Sequence, residues 1–249
     1  MTAQQPPAGP DGQDGEKPRT SLWERLERPA PAPRTTLTPQ RIAEAAIAIA
    51  DAEGLDAVTM RRLATTLGVA PMAAYRYVSG KDELIELMVD SVYGELALPD
   101  PAAGWRDTMR TLATRLRAKT LAHPWTVRAT AVPLTPNQLA VPERAFAALT
   151  GQGLDADTMM AVFRTVTGYV RGAVAAEIGL ADLMRENGWS DGDDTRVGLA
   201  PQMSWLMGTG RYPAYQRYLG EATRKDDQDW QFETGLDCVL DGVAARLGI

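Results

Sequence analysis

One cysteine and one histidine in 249 residues set the first limits. Cys238 alone cannot close an intrachain disulfide, which fits a reducing compartment. With His123 as the one histidine, catalytic triads and dinuclear centres of the Glu-x-x-His type are set aside, and no G-x-S-x-G occurs. His123, before Pro124, reads as a structural or helix-start residue. No apolar run approaches the roughly 18 residues that span a bilayer, and no apolar leader follows Met1. The chain therefore reads as soluble and cytoplasmic, with no membrane partner. Positive charge is not in excess either: the net charge is −6 and the pI about 5.0. That argues against indiscriminate coating of nucleic acid and leaves a local basic patch open. "SGKD" (Ser79–Asp82) lacks the upstream Gly and the following Ser or Thr of a phosphate loop. "DGDD" (Asp191–Asp194) and "DDQD" (Asp226–Asp229) lack calcium-loop spacing. No metal, no cofactor and no enzyme activity are expected.

What is present is helix. The chain is 45% apolar, enough for one large domain or two smaller ones. Residues 1–36 are rich in Pro, Gly, Gln and charge and read as a disordered extension. Within it, "SLWERLER" (Ser21–Arg28) has the pattern of a turn or two, with Trp23 and Leu26 free to dock. From Thr38-Pro39, an N-cap with Pro at the first helical position, the period becomes helical. Ile42, Ala46, Ile49 and Ala50 share one face, and Gly54 ends that helix. Thr59 caps a second helix ending at Gly68, Pro71 opens a third running to Val78, and "SGKD" has capping-box form for a fourth. Further helices are expected near 104–122, 124–132, 136–150, 155–182, 199–208, 212–223 and 227–247. Arg185 to Gly198 reads as a polar, mobile loop. No β-alternating run occurs, so the fold class is all-α, divided as 1–36, 37–96 and 97–249.

Two short helices around Gly68 have helix-turn-helix spacing, in which one helix enters a DNA major groove and the other braces it. An ordinary helical hairpin with solvated charges has the same spacing. On the DNA reading, Thr59 and Lys81 hold phosphates at helix starts, and Tyr75 and Tyr77 donate hydroxyls to phosphates. Arg61 and Arg76 read guanine edges, while Met72 and Ala73 beside Pro71 meet thymine methyls. Arg62 and Arg41 add non-specific attraction. Arg28 and Arg34 belong to an arm that either enters a minor groove or stays solvated.

Leu37 to Asp90 closely resembles the DNA-binding domain of the tetracycline-repressor (TetR) family. The matching residues are Gly54, Thr59, Arg61, Leu63, Ala64, Leu67, Gly68, Val69, Tyr75, Lys81 and Leu84. Ala70 stands where the family often has a capping Ser, Ala74 where it has Leu, and Tyr77 where it has His. "AHPW" (Ala122–Trp125), the segment from Leu154 to Glu177 and the closing "FETGLDCVLDGVAARL" are similar to the family's regulatory domain. The resemblance implies a homodimer built on a four-helix bundle, an effector cavity in each subunit, and a palindromic double-stranded DNA operator. Thr130 stands about where the tetracycline repressor has its magnesium-binding His, so a metal-tetracycline effector is not expected.

The residues agree with buried helices. Met159, Met160, Val162, Phe163, Val166, Val170 and Val174 make one helix apolar nearly all round, and Gly168, Gly172 and Ala176 form a small-residue stripe. The stripe suits a dimer interface; an intrachain core is the alternative. Trp105, Met109, Trp125, Phe163, Thr167, Met203 and Trp205 are candidates for the wall of an effector pocket, with Glu177 or Arg128 as a polar handle. The expected function is a dimeric regulator, a repressor that releases its operator when a small apolar or aromatic effector binds. An activator, or an adaptor without DNA binding, remain the alternatives.

Overall fold

The computed structural model describes residues 20–27, 37–129 and 135–249, and every regular element among them is helical. Most of the expected disordered extension, with Arg28 and Arg34, lies outside the described residues, as does Thr130. Residues 20–27 form a unit of their own, helix α1 (Leu22–Glu27). It is opened by a reciprocal cap: the Ser21 hydroxyl accepts from Glu24 N–H at 3.2 Å, and the Glu24 carboxylate accepts from Ser21 N–H at 2.9 Å.

The second unit begins at Leu37. Thr38 accepts from Arg41 N–H to start α2 (Pro39–Glu53), which buries Ile42, Ala46, Ile49 and Ala50 as its period requires. Thr59 does the same for α3 (Met60–Leu67), whose Leu63 and Ala64 are buried. Gly68 ends α3 at φ 66°, in the left-handed region that a side chain disfavours. The next helix is shorter than its expected reach to Val78: α4 spans Pro71–Ala74. Ala70 offers no capping oxygen, and past Ala74 the backbone tightens, Tyr77 N–H returning to the Ala74 carbonyl at 3.0 Å. The expected Ser79 cap of α5 (Lys81–Gly94) is also corrected. Gly80 is the capping residue, and the carboxylate of Glu83, in place of Asp82, accepts from Ser79 N–H at 2.7 Å.

Beyond α5 come α6 (Trp105–Ala122), α7 (Thr126–Ala129), α8 (Pro136–Leu149) and α9 (Ala156–Asn187). They are followed by α10 (Gly192–Gly208), α11 (Pro213–Glu221) and α12 (Gln228–Leu247). The expected loop over 185–198 shrinks to the joint between α9 and α10. Gly188, left-handed at φ 69°, closes α9 with Trp189 N–H on the Met184 carbonyl, and Asp191 caps α10 by accepting from Asp194 N–H. The Trp189 ring then lies so close to Gly198 that a Cβ there would fall 2.0 Å from it. A polar, Gly-rich stretch thus became helix through its caps and one aromatic contact.

Two cores result. Ile42, Leu63, Ala74, Val78 and Leu84 fill the space between α2 and α5. Met109, Leu112, Leu149, Val166, Phe232 and Leu236 fill that among α6, α8, α9 and α12. Helix α5 packs against both α2 and α8, which is why it is buried on more than one face. At the edge of the second core, Arg117 of α6 joins three helices. Its Nε and Nη2 donate to Glu177 of α9 at 2.8 and 2.9 Å, its Nη1 to Asp229 of α12 at 2.7 Å, and it stacks 4.7 Å over Phe232. The Glu177 hydrogen bonds raise the guanidinium pKa against the opposing effect of burial.

Arg117→Ala should lower the unfolding free energy by about 3 kcal/mol, because Glu177 then keeps a largely buried charge without its partner. Arg185→Ala, which breaks the exposed pair with Asp182, should leave it within error of the parent. Urea titrations at one fixed protein concentration test both.

Candidate functional site

The helix-turn-helix presents a defined set of exposed groups. Thr59, Arg61, Arg62, Pro71, Met72, Tyr75, Arg76 and Lys81 are exposed, and Ala73 is half-buried. Met72 stands out as an apolar side chain that is 72% exposed. Arg61, Arg76 and Lys81 make no ion pair among the described residues. Thr59 accepts from Arg62 N–H and still has its own hydroxyl proton to donate. Two expected roles need correction. Arg62 is paired to Glu53 of α2 at 2.5 Å, so its charge is partly neutralised. The half-buried Tyr77 donates its proton to the Leu37 carbonyl at 2.7 Å, which leaves none for a phosphate. Tyr77 instead pins the backbone that leads into α2.

A cavity of about 420 Å³ opens in the second core, walled by five helices. Tyr93 comes from α5, Leu116 and Thr120 from α6, and Thr126 and Val127 from α7. Gln138, Val141 and Pro142 come from α8, and α9 contributes Phe163, Thr167, Val170 and Arg171 among others. Burial pushes the Tyr93 phenol above its ordinary range; the Arg171 charge and a Gln138 hydrogen bond pull the other way. Tyr93 therefore remains a protonated donor at neutral pH. Pro142, lacking an N–H, denies the Gln138 carbonyl its helical donor. A wider groove of about 1070 Å³ lies between α9, α10 and α12.

Of the expected wall residues, the structure brings two, Phe163 and Thr167, together in the cavity. Met203 lines the groove. Trp105 and Met109 belong to the core, because α6 turns that face inward and meets the cavity only later, at Leu116 and Thr120. Trp125 is buried, and Trp205 is 71% exposed. Glu177 is held by Arg117, and Arg128 faces Asp56 at 3.7 Å on the surface.

Two carboxylates tie the cavity walls to the helix-turn-helix half. Asp51 of α2 accepts from Trp125 Nε1–H at 2.7 Å and meets His123 Nδ1 at 2.9 Å, so it holds the joint from which α7 starts. Asp90 of α5, only 8% exposed, accepts from the backbone N–H and the amide of Asn137, both at 2.8 Å, in the first turn of α8. Gly94 makes room for that amide, since a Cβ there would lie 2.8 Å from it. Sequence reasoning passed over both acids. The available signals were Asp90 inside the apolar run Leu87–Val92, and an indole and imidazole with no acid nearby in sequence.

Comparisons with known proteins cover both halves. The family described as "Bacterial regulatory proteins, tetR family" matches residues 42–88. "Tetracyclin repressor-like, C-terminal domain" matches residues 98–247. The HTH-type transcriptional repressor DrrR1 of Streptomyces coeruleorubidus is 35% identical, over 91% of this chain and 86% of its own. An HTH-type transcriptional regulator of Saccharopolyspora erythraea is 32% identical over 100% of both chains. Among solved structures, the Streptomyces coelicolor TetR family protein ActR in complex with actinorhodin aligns with a TM-score of 0.67 at 29% identity. That alignment covers 86% of this chain and 100% of ActR. With both halves matched and two transcriptional regulators aligned over nearly its whole length, the chain belongs to the TetR family of DNA-binding transcriptional regulators.

Proposed function

We propose that this chain is a cytoplasmic, homodimeric repressor that releases a palindromic operator when a small apolar or aromatic effector enters the cavity beside α7 and α8. Residues 37–96 form the DNA-binding part and 97–249 the effector and dimer part. The observation that carries the reading is the pair of ties. Both walls that an effector would move begin at residues held by Asp51 and Asp90, which sit on helices of the DNA-binding part. An effector that fits the cavity better when those ties shift would weaken operator binding by linkage. The cavity walls are mainly apolar, and the solved structure of ActR is of its complex with actinorhodin.

Dimerisation is supported by what this chain leaves uncovered. Helices α10 and α11 bury no side chain. Apart from the helix's own neighbouring backbone, no atom of the described residues comes within 4 Å of a Cβ built at Gly168 or Gly172. Each helical Gly is unfavourable by about 1 kcal/mol against Ala, an expense that contact with a second copy would offset. In such a dimer the two α3–α4 units would face successive major grooves, about 34 Å apart.

DNA binding is tested by fluorescence anisotropy against DNA flanking the chain's own gene, at several salt concentrations. Arg76→Ala should reduce discrimination at one base pair by about 1–3 kcal/mol. Lys81→Ala should weaken all sequences alike and lower the salt slope by about one. Unaltered discrimination in the first variant would remove Arg76 as a base reader.

Sedimentation equilibrium tests the dimer. The parent should have twice the 27.0 kDa chain mass, and Gly168→Leu should shift it toward the monomer with helicity retained, because its own chain leaves room for the side chain. A Gly168→Leu protein that stays dimeric would place the interface elsewhere.

A further inference from the structure

The cavity lining is electrostatically one-sided. Arg171 is its one charged residue among the described residues, and no Asp or Glu stands in the wall. Arg171 makes no ion pair among the described residues, unlike Arg110, Arg117 and Arg196 of the same part, each of which holds two acids. An arginine kept free of carboxylates beside an apolar cavity is a charge awaiting a ligand, since its guanidinium presents a planar donor fork suited to a carboxylate.

The neighbours of Arg171 extend the same chemistry. Tyr93 lies within reach of the Arg171 charge and keeps its phenolic proton. Gln138, 3% exposed, adds an amide beside it. The rest of the wall, with Leu116, Val141, Pro142, Phe163 and Val170, suits a ring system. Resting on the reading of this cavity as the effector site, we propose that the effector is a ring-bearing organic acid whose carboxylate is bound by Arg171, with Tyr93 and Gln138 as accompanying donors. Arg171 is exposed and Gln138 is buried, so the guanidinium meets the carboxylate from the solvent side. Solvent screening of that exposed guanidinium makes Arg171 a selector of charge, while the apolar wall supplies most of the affinity.

The test is calorimetric titration of the full chain with matched probes: 2-naphthoate against 2-naphthamide, and anthraquinone-2-carboxylate against its carboxamide. At least one acid should bind about tenfold tighter than its amide, and in Arg171→Gln, folded by circular dichroism, the two should bind alike. Thr167→Trp, or Val127→Trp should the first fail to fold, fills the cavity and should abolish binding of both. Equal binding of acid and amide to the parent, a preference that survives in Arg171→Gln, or no binding by either acid would overturn the proposal. If the cavity-filling variant still blocks the amide in those cases, the cavity stands as the effector site without the charge selection. Binding that ignores the filling variants overturns the cavity reading itself.

Discussion

Helix α5 is the constraint on which the rest depends, because its side chains belong to two cores at once. Leu84 and Met88 are completely buried in the DNA-binding half, while Tyr93, one residue from the helix end, is already part of the cavity wall. Between them Asp90 is locked onto the first turn of α8 by two hydrogen bonds. A buried carboxylate is tolerated only when its lone pairs are satisfied, so Asp90 fixes α8 on α5 with little freedom to slip. Asp51 repeats the device on α2. Its single oxygen Oδ1 receives the Trp125 indole and faces His123, which ties the α6–α7 joint to the first helix of the DNA-binding half. The cavity lies among the elements that these two carboxylates hold.

The recognition element is small and its support correspondingly explicit. Helix α4 has one turn, no side-chain cap and one buried residue, Ala74. Its rigidity comes from the Gly68 turn before it and from Tyr77 behind it, whose hydroxyl reaches the Leu37 carbonyl forty residues away in sequence. The exposed groups then divide by chemistry. Arg61, Arg76 and Lys81 offer charge that no acid among the described residues pairs, Met72 offers an apolar tip, and Arg62 shares its charge with Glu53.

Most of the fold was legible in the sequence because it rests on local signals. Thr38 and Thr59 cap helices where their spacing says they should, and the Val162–Val174 and Phe232–Leu240 stripes turn inward at helical period. The errors fall where a tertiary contact decides. Trp189 packs on Gly198 where a polar stretch is helical, and α4 ends at Ala74, just before Tyr77 reaches the distant Leu37 carbonyl. The cavity was the least legible part. Aromatic and Met residues mark apolar burial without saying whether the space beside them is filled. Trp105 and Met109 proved to be core, whereas small and polar residues such as Thr120, Gln138 and Arg171 line the opening. The sequence signals of Asp51 and Asp90 did not reveal their partners, which lie 72 to 74 and 47 residues away.

The central claim is that occupancy of the cavity is felt at the DNA-binding half through α5, α7 and α8. The most direct measurement needs no identified effector: the operator affinity of Thr167→Trp, whose indole occupies the cavity permanently, compared with the parent. The account predicts operator binding weaker by about tenfold, with dimer mass and non-specific DNA affinity unchanged. Equal operator affinity in a folded, cavity-filled dimer would contradict it.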